Sequence, residues 1–198
     1  MTRPHRIEEP GGIFHIATRS VDERHAFGTI EDRWSFLGVL NDVVDEYNWL
    51  CKGYCLMGSH YHLIVETPKP NLSLGMQRLN GIYAQRFNGR HARRGHLFGG
   101  RFFSVLTGNE QHLLAALRYV ARNPVEAGLC ARPADWRWGS YRATIGLEPA
   151  LLLLDVDGVL GLFGSRRHVA RAEFARLVEG PEPLILSDQA KVARIDRV

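Results

Sequence analysis

The sequence predicts an α+β fold: a ferredoxin-like antiparallel sheet with helices on one face, plus a small helical C-terminal extension. Three observations predict it. Stretches of alternating apolar and polar residues take turns with stretches of helical periodicity, in the order β-α-β-β-α-β-α. The middle pair, Leu50 to Met57 and His60 to Thr67, is joined only by Gly58-Ser59, a turn short enough to force antiparallel pairing. Apolar residues make up 45% of 198 positions, which is ample for one packed core.

Taken in order, Ile13 to Arg19 alternates and reads as the first strand. Glu31 to Asn48 carries Trp34, Leu37, Val44 and Tyr47 among its apolar positions and reads as a helix. The paired strands follow, and Pro68 and Pro70 end the second. Leu72, Met76, Leu79, Tyr83 and Phe87 form a helical stripe, which Asn88-Gly89 is expected to close. His96 to Thr107 reads as a strand or hairpin with glycines at its turn. Asn109 is a good N-cap, Glu110 follows in the first turn, and Leu113, Leu117 and Val120 make the buried stripe of the next helix. Pro124, lacking an amide hydrogen, is expected to break it. Past Gly146 the character changes. Asp155 to Phe163 and Arg166 to Val178 read as short helices, and Pro181 to Val198 as a loosely docked tail. On this reading residues 1–146 are one domain and residues 147–198 an extension with a tail.

Composition excludes several classes. No apolar run is long enough to span a membrane; Leu151 to Leu154 is far too short. The N-terminus does not read as a signal peptide. Cys51, Cys55 and Cys130 are an odd, scattered set that fits a reduced cytoplasmic protein and no zinc framework. The net charge is only +4, but its location is informative. Between Glu66 and Glu110 there is no acidic residue, while Lys69, Arg78, Arg86, Arg90, Arg93, Arg94 and Arg101 all fall there. Such a block suits contact with phosphates, so Arg78, Arg86, Arg90, Arg93, Arg94 and Arg101 are the expected DNA-binding residues. A solvated face is the bland reading of the same block.

Two short motifs carry chemistry. His60 and His62, two apart on a strand, point to one face and can offer ring nitrogens to one divalent metal. Alternation puts Tyr61, Leu63 and Val65 on the other face, expected against helices, with the histidines lining a groove. Downstream, Tyr119 and Asn123 are four apart, off the apolar stripe, on one flank of their helix. A tyrosine nucleophile and a third metal ligand would need that arrangement.

The segments Leu56-Met57-Gly58-Ser59-His60-Tyr61-His62-Leu63-Ile64, Gly95 to Phe102, Arg118 to Leu129 and Trp138-Gly139-Ser140-Tyr141 occur in one order. Together they resemble the single-tyrosine HUH transposases, where U is a hydrophobic residue. That class includes insertion-sequence transposases and the REP-associated tyrosine transposases. The chain departs from the pattern at Gly58-Ser59, where Pro-Asn is more usual, at Gly99, where glutamine is, and at Glu126, where arginine is. The resemblance implies a metal-dependent enzyme that cleaves and rejoins single-stranded DNA near hairpins through a 5′-phosphotyrosine. It implies Tyr119 as nucleophile, His60, His62 and Asn123 as ligands, and Mg²⁺ or Mn²⁺ as the ion. The expected partner is single-stranded or hairpin DNA, and the expected state a monomer or homodimer. Mobile-element members tend to be short dimers that swap the tyrosine helix, and REP-associated members are often monomeric. A chain that runs well past Tyr119 leans to the second group.

Each residue has a plainer reading. A lone His-x-His is usually structural. Tyr83 is a rival nucleophile, but it sits on the apolar stripe and reads as core, and His112 reads as a surface residue. Trp136, Trp138 and Tyr141 could stack on bases, although such close spacing more often means core. The alternative function is a non-catalytic nucleic-acid-binding module of ferredoxin-like fold, which would need neither Tyr119 nor the ligands. A metal-dependent phosphodiesterase using water would keep the histidines without Tyr119.

Overall fold

A computed structural model describes residues 8–21 and 25–181. The strands are β1 (Gly12–Arg19), β2 (Leu50–Leu56), β3 (His60–Thr67) and β4 (Phe103–Leu106). The helices are α1 (Ile30–Tyr47), α2 (Leu72–Arg90), α3 (Glu110–Glu126), α4 (Tyr141–Ile145), α5 (Val156–Gly161) and α6 (Arg167–Glu179). The strands form one sheet in the order β2-β3-β1-β4, every pair antiparallel, which is the ferredoxin-like arrangement expected.

Register decides what shares a face. β1 pairs with β3 so that Ile16 meets Leu63, Ala17 meets His62 and Arg19 meets His60. Phe14, Ile16, Tyr61, Leu63 and Val65 therefore form one buried apolar face. α1 and α2 cover it: Tyr61 packs 4.6 Å from Phe36, centroid to centroid, and donates to Asn80 at 2.6 Å. α1 opens with a reciprocal cap, the Asp32 amide donating to Thr29 Oγ1 at 3.1 Å and the Thr29 amide to Asp32 Oδ2 at 3.0 Å.

The other face is not the open groove expected. α3 lies across it, and His62 is fully buried. An isolated sheet buries one face, but here β2 and β3 alternate little, being buried along almost their whole lengths. That pattern requires cover on both sides.

Three boundaries differ from expectation, each because tertiary contact outweighs local propensity. α2 does not close at Asn88-Gly89; it runs to Arg90 because Asp32 holds the last turn, bonded to Arg90 at 2.8 Å and His91 at 2.9 Å. The 96–107 stretch is strand only over Phe103–Leu106, since Gly95 (φ +91°) and Gly100 (φ +132°) interrupt extended pairing. α3 passes through Pro124 and stops only at Ala127, before Gly128 at φ +69°. Pro124 cannot donate to Val120 O, so the helix loses one rung there, and packing of its buried face, Pro124 included, carries it on for less than one further turn.

Beyond Gly146, the chain packs onto the same hydrophobic core through Leu153, Leu160, Phe174 and Val178. Lys52, buried at a bulge in β2, bridges Glu66 and Asp155 at 3.0 Å each, and Asp155 caps α5. α6 docks on α3 by its C-terminal carbonyls: the buried Arg118 donates to Val178 O and Gly180 O at 2.9 Å and to Leu177 O. The expected short helices are present, and the expected tail lies, past Pro181, outside the described residues.

Candidate active site

α3 brings Tyr119 and Asn123 over the histidine face of the sheet. Ala116, Val120 and Asn123 follow the buried side of the helix, so Asn123 is buried and not off the stripe as expected. Tyr119 lies on the adjoining flank, half-buried. Its ring meets His62 edge-on at 5.5 Å and 89°, and meets His15 at 5.6 Å and 62°.

His60 Nε2 lies 3.4 Å from Asn123 Oδ1, and His60 Nδ1 lies 3.4 Å from Ser59 Oγ. The His60 and His62 rings stand at 88° with centroids 5.2 Å apart. His62 Nδ1 faces His15 Nε2 at 3.3 Å, and the tautomers follow from which nitrogen carries the proton. His62 Nε2 is buried with no hydrogen-bond partner. A buried polar atom without a partner is costly, and the ring that carries this one stands beside His60, whose Nε2 faces the Asn123 amide oxygen.

Electrostatics suit the same atoms to ligation. Burial pushes the His15 pKa down to about 3. His62 is held well below the usual histidine range, by burial first and then by the charges of His15, His60 and Arg19. Both rings are therefore neutral at neutral pH, and a neutral imidazole is the ligating form. Among the described residues no group of three or more His, Cys, Asp or Glu side chains is arranged for a metal. The set here is two imidazoles and one amide oxygen, and the unpartnered His62 Nε2 fits an ion bound between them. Neutral N and O donors that leave positions open suit Mg²⁺ or Mn²⁺ with its water and phosphate oxygens.

A family model described as IS200-like transposase matches residues 12–123, from the first residue of β1 to Asn123. The chain belongs to the IS200-like transposase family. Among solved structures it is similar to a REP-associated tyrosine transposase bound to a REP hairpin, at 17% identity and a TM-score of 0.64. That likeness covers 78% of this chain and 94% of the other, and it is one of fold. It is more weakly similar to tRNA(His) guanylyltransferase from Saccharomyces cerevisiae, at 12% identity and a TM-score of 0.48 over 93% of this chain and 86% of that one. No curated protein matches the chain.

In this transposase the expected DNA-binding arginines do not lie together as one acid-free block. Arg78 pairs with Glu46 at 2.6 Å and Arg90 with Asp32 at 2.8 Å, both acids belonging to α1. An acid-free stretch of sequence is thus not an acid-free surface. Arg78, Arg86 and Arg90 ride on α2, across the sheet from Tyr119. Arg93, Arg94 and Arg101 belong to the 91–102 loop, whose Gly99 amide donates to Arg19 O at 3.0 Å and whose Phe98 bridges Ser20. Arg19 is in register with His60, so this loop lies at the His60 end of the sheet.

The plainer readings also resolve. Tyr83 is fully buried and donates to Ala26 O. Trp138 and Tyr141 are buried, as core residues are. His15 was not foreseen. It is a single histidine on an alternating strand, and only the β1–β3 register sets it against His62.

Proposed function

We propose that the chain is a single-strand DNA nuclease and ligase, a transposase that cuts and rejoins strands beside hairpins through Tyr119. The carrying observation is that one sheet face brings together Tyr119, His60, His62 and Asn123, with His62 Nε2 buried and unpartnered among the side chains of that face. In this reading the Tyr119 oxygen attacks phosphorus, the bond to the 3′ oxygen breaks, and the 3′-hydroxyl leaves with a proton. The phosphodiester energy stays in the 5′-phosphotyrosine, so a second 3′-hydroxyl rejoins the strand without ATP. His60, His62 and Asn123 would hold Mg²⁺ or Mn²⁺, which supplies charge stabilisation at the scissile phosphate when bound. His15, hydrogen-bonded to His62 Nδ1, would fix which nitrogen faces the ligand site.

Arg93, Arg94 and Arg101 would lead the strand to that end of the sheet, with Arg78, Arg86 and Arg90 as outer contacts. Residues 1–146 would be the catalytic unit and residues 147–198 an extension that braces α3, acting in the cytoplasm, where DNA is accessible and thiols such as Cys51, Cys55 and Cys130 stay reduced. The docking of α6 on α3 favours a tyrosine helix that serves its own chain, hence a monomer. No helix among the described residues is long and apolar enough to cross a membrane.

The test is incubation of an end-labelled hairpin oligonucleotide carrying a single-stranded flank with the protein and Mn²⁺, followed by a denaturing gel. A label that migrates with the protein supports the reading. Free cleavage product without adduct supports the hydrolytic alternative, and binding with neither supports a non-catalytic module.

A further inference from the structure

The β2 rim carries a second cluster that the chemistry above leaves unused. Trp34, Trp136 and Trp138 gather there with Arg33 and Arg137. The Arg33 guanidinium lies 5.2 Å from the Trp138 ring centroid and 5.8 Å from that of Trp136, and Arg137 lies 4.9 Å over Trp138. Trp34 meets Trp138 edge-on at 5.7 Å.

The cluster has a fixed inner layer and an open outer one. Inside, Arg33 donates to Leu56 O and Met57 O at 3.4 Å each, and Trp136 Nε1 donates to Leu56 O at 3.2 Å. Leu56 pairs with Tyr61, and the Met57 amide donates to His60 O at 2.9 Å. The inner layer is therefore bonded to the turn that presents His60, one strand spacing, about 4.8 Å, from the histidine strand. Outside, Trp34 is 49% exposed and Arg137 is exposed. Neither Arg33 nor Arg137 is in an ion pair among the described residues, while the nearby carboxylate of Asp135 is taken by Arg132 at 3.1 Å.

Packing explains the inner layer but not the outer. A half-exposed indole beside an unneutralised guanidinium is the composition of surfaces that stack unpaired bases and touch their phosphates. We propose that Trp34 and Arg137, backed by Trp138 and Arg33, form a stacking subsite for an unpaired base of single-stranded DNA flanking the phosphate at Tyr119. The proposal rests on the function proposed above. It adds a second route of strand contact, along the β2 rim, opposite the 91–102 loop at the β1 side.

The experiment uses the full chain carrying Tyr119→Phe, so that no covalent step consumes the complex. A fluorescently labelled hairpin with a single-stranded flank is titrated, reading label anisotropy and tryptophan emission. The flanked hairpin should quench the emission, and the same hairpin without its flank should not. Trp34→Ala should remove most of the quench and raise Kd about five- to hundredfold, while Trp34→Phe, which keeps a π-face, should hold most of the affinity. Arg137→Glu should weaken binding and flatten its salt dependence. Trp34 is half-exposed, so thermal unfolding of its variants should match the parent, and the Phe variant covers the case in which the Ala variant does not fold. Unchanged affinity and quench in Trp34→Ala, with adduct formation intact when Tyr119 is present, would overturn the subsite alone. Neither adduct nor single-strand binding by the unmodified chain would overturn the enzymatic reading and the subsite with it.

Discussion

The two faces of the sheet are built from the same strands and differ in almost every other respect. Under α1 and α2 lie Phe14, Ile16, Leu63 and Val65 with the rings of Phe27, Phe36, Tyr61 and Tyr83. Under α3 lie His15, His60 and His62 with Asn123 and Tyr119. The tyrosines make the contrast sharpest. Tyr61 and Tyr83 are fully buried, their hydroxyls spent on Asn80 and Ala26 O, and burial pushes both pKa values far above the phenol range. Tyr119 is half-buried against two imidazoles. One face is a core; the other keeps buried nitrogen without a partner, a state that packing alone does not favour.

The strongest way to break that comparison is to exchange the roles of the tyrosines. Tyr119→Phe should abolish the covalent adduct and strand cleavage while DNA binding persists, because it removes one oxygen and little else. Tyr83→Phe should leave the adduct intact and cost stability by about 1 kcal/mol for its hydrogen bond. An adduct surviving in Tyr119→Phe on a denaturing gel would move the nucleophile elsewhere.

Next come the proposed metal ligands. His60→Ala, His62→Ala and Asn123→Ala should each lower cleavage by about a hundredfold or more, and a chelator should reproduce the loss, with Mn²⁺ restoring it. His15→Ala leaves the ligand set whole and removes the partner of His62 Nδ1. It should weaken Mn²⁺ binding by about ten- to a hundredfold, read by calorimetry, and excess Mn²⁺ should recover activity. Full cleavage by metal-free protein in chelator would remove the ion from the reaction.

The fold was legible from the sequence because the alternation in β1 and β3 and the stripes of α1 and α2 are local patterns with distinct periods. His60, His62, Tyr119 and Asn123 were legible as candidates for the same reason, each pair sharing a local spacing. What sequence could not carry was cross-element contact. His15 becomes a neighbour of His62 only through strand register. Asp32 and Glu46 lie more than thirty residues from the arginines they neutralise, so the basic block read as freer than it is. Pro124 read as a break because local propensity carries no trace of the packing that continues α3 past it.

α3 covers the histidine face, and the C-terminal extension holds α3, so Arg118 offers a further test. Its guanidinium is buried and donates to three carbonyls at the end of α6. Arg118→Ala should cost about 2–3 kcal/mol, read by urea unfolding, since it strands those carbonyls. The exposed Arg176–Glu173 pair is the control, and Arg176→Ala should cost less than about 1 kcal/mol. If α6 braces the tyrosine helix, Arg118→Ala should also slow adduct formation at a temperature where the chain stays folded. An unchanged rate would leave α6 a stabilising element with no say in catalysis.

The smallest effect sharpens the comparison at its edges, where the two faces divide the arginines. Arg93, Arg94 and Arg101 belong to the loop at the His60 end, whereas Arg78 is already paired with Glu46 on the α2 side. Counterion release makes each phosphate contact worth about 0.7 of a unit in the slope of log affinity against log salt for a single strand. Replacing the three loop arginines by alanine should therefore flatten the slope by about two units, and Arg78→Ala should leave it almost unchanged. Arg90→Ala is a poor probe by itself, because it also removes a partner of the buried Asp32. The hydrogen bonds from His91, Arg90 and the Thr29 amide outweigh burial and hold the Asp32 carboxyl below its usual range, so losing one costs stability as well as charge. Equal slope changes for the loop triple and for Arg78→Ala would mean that the strand runs along α2, and that the basic residues serve the face opposite Tyr119.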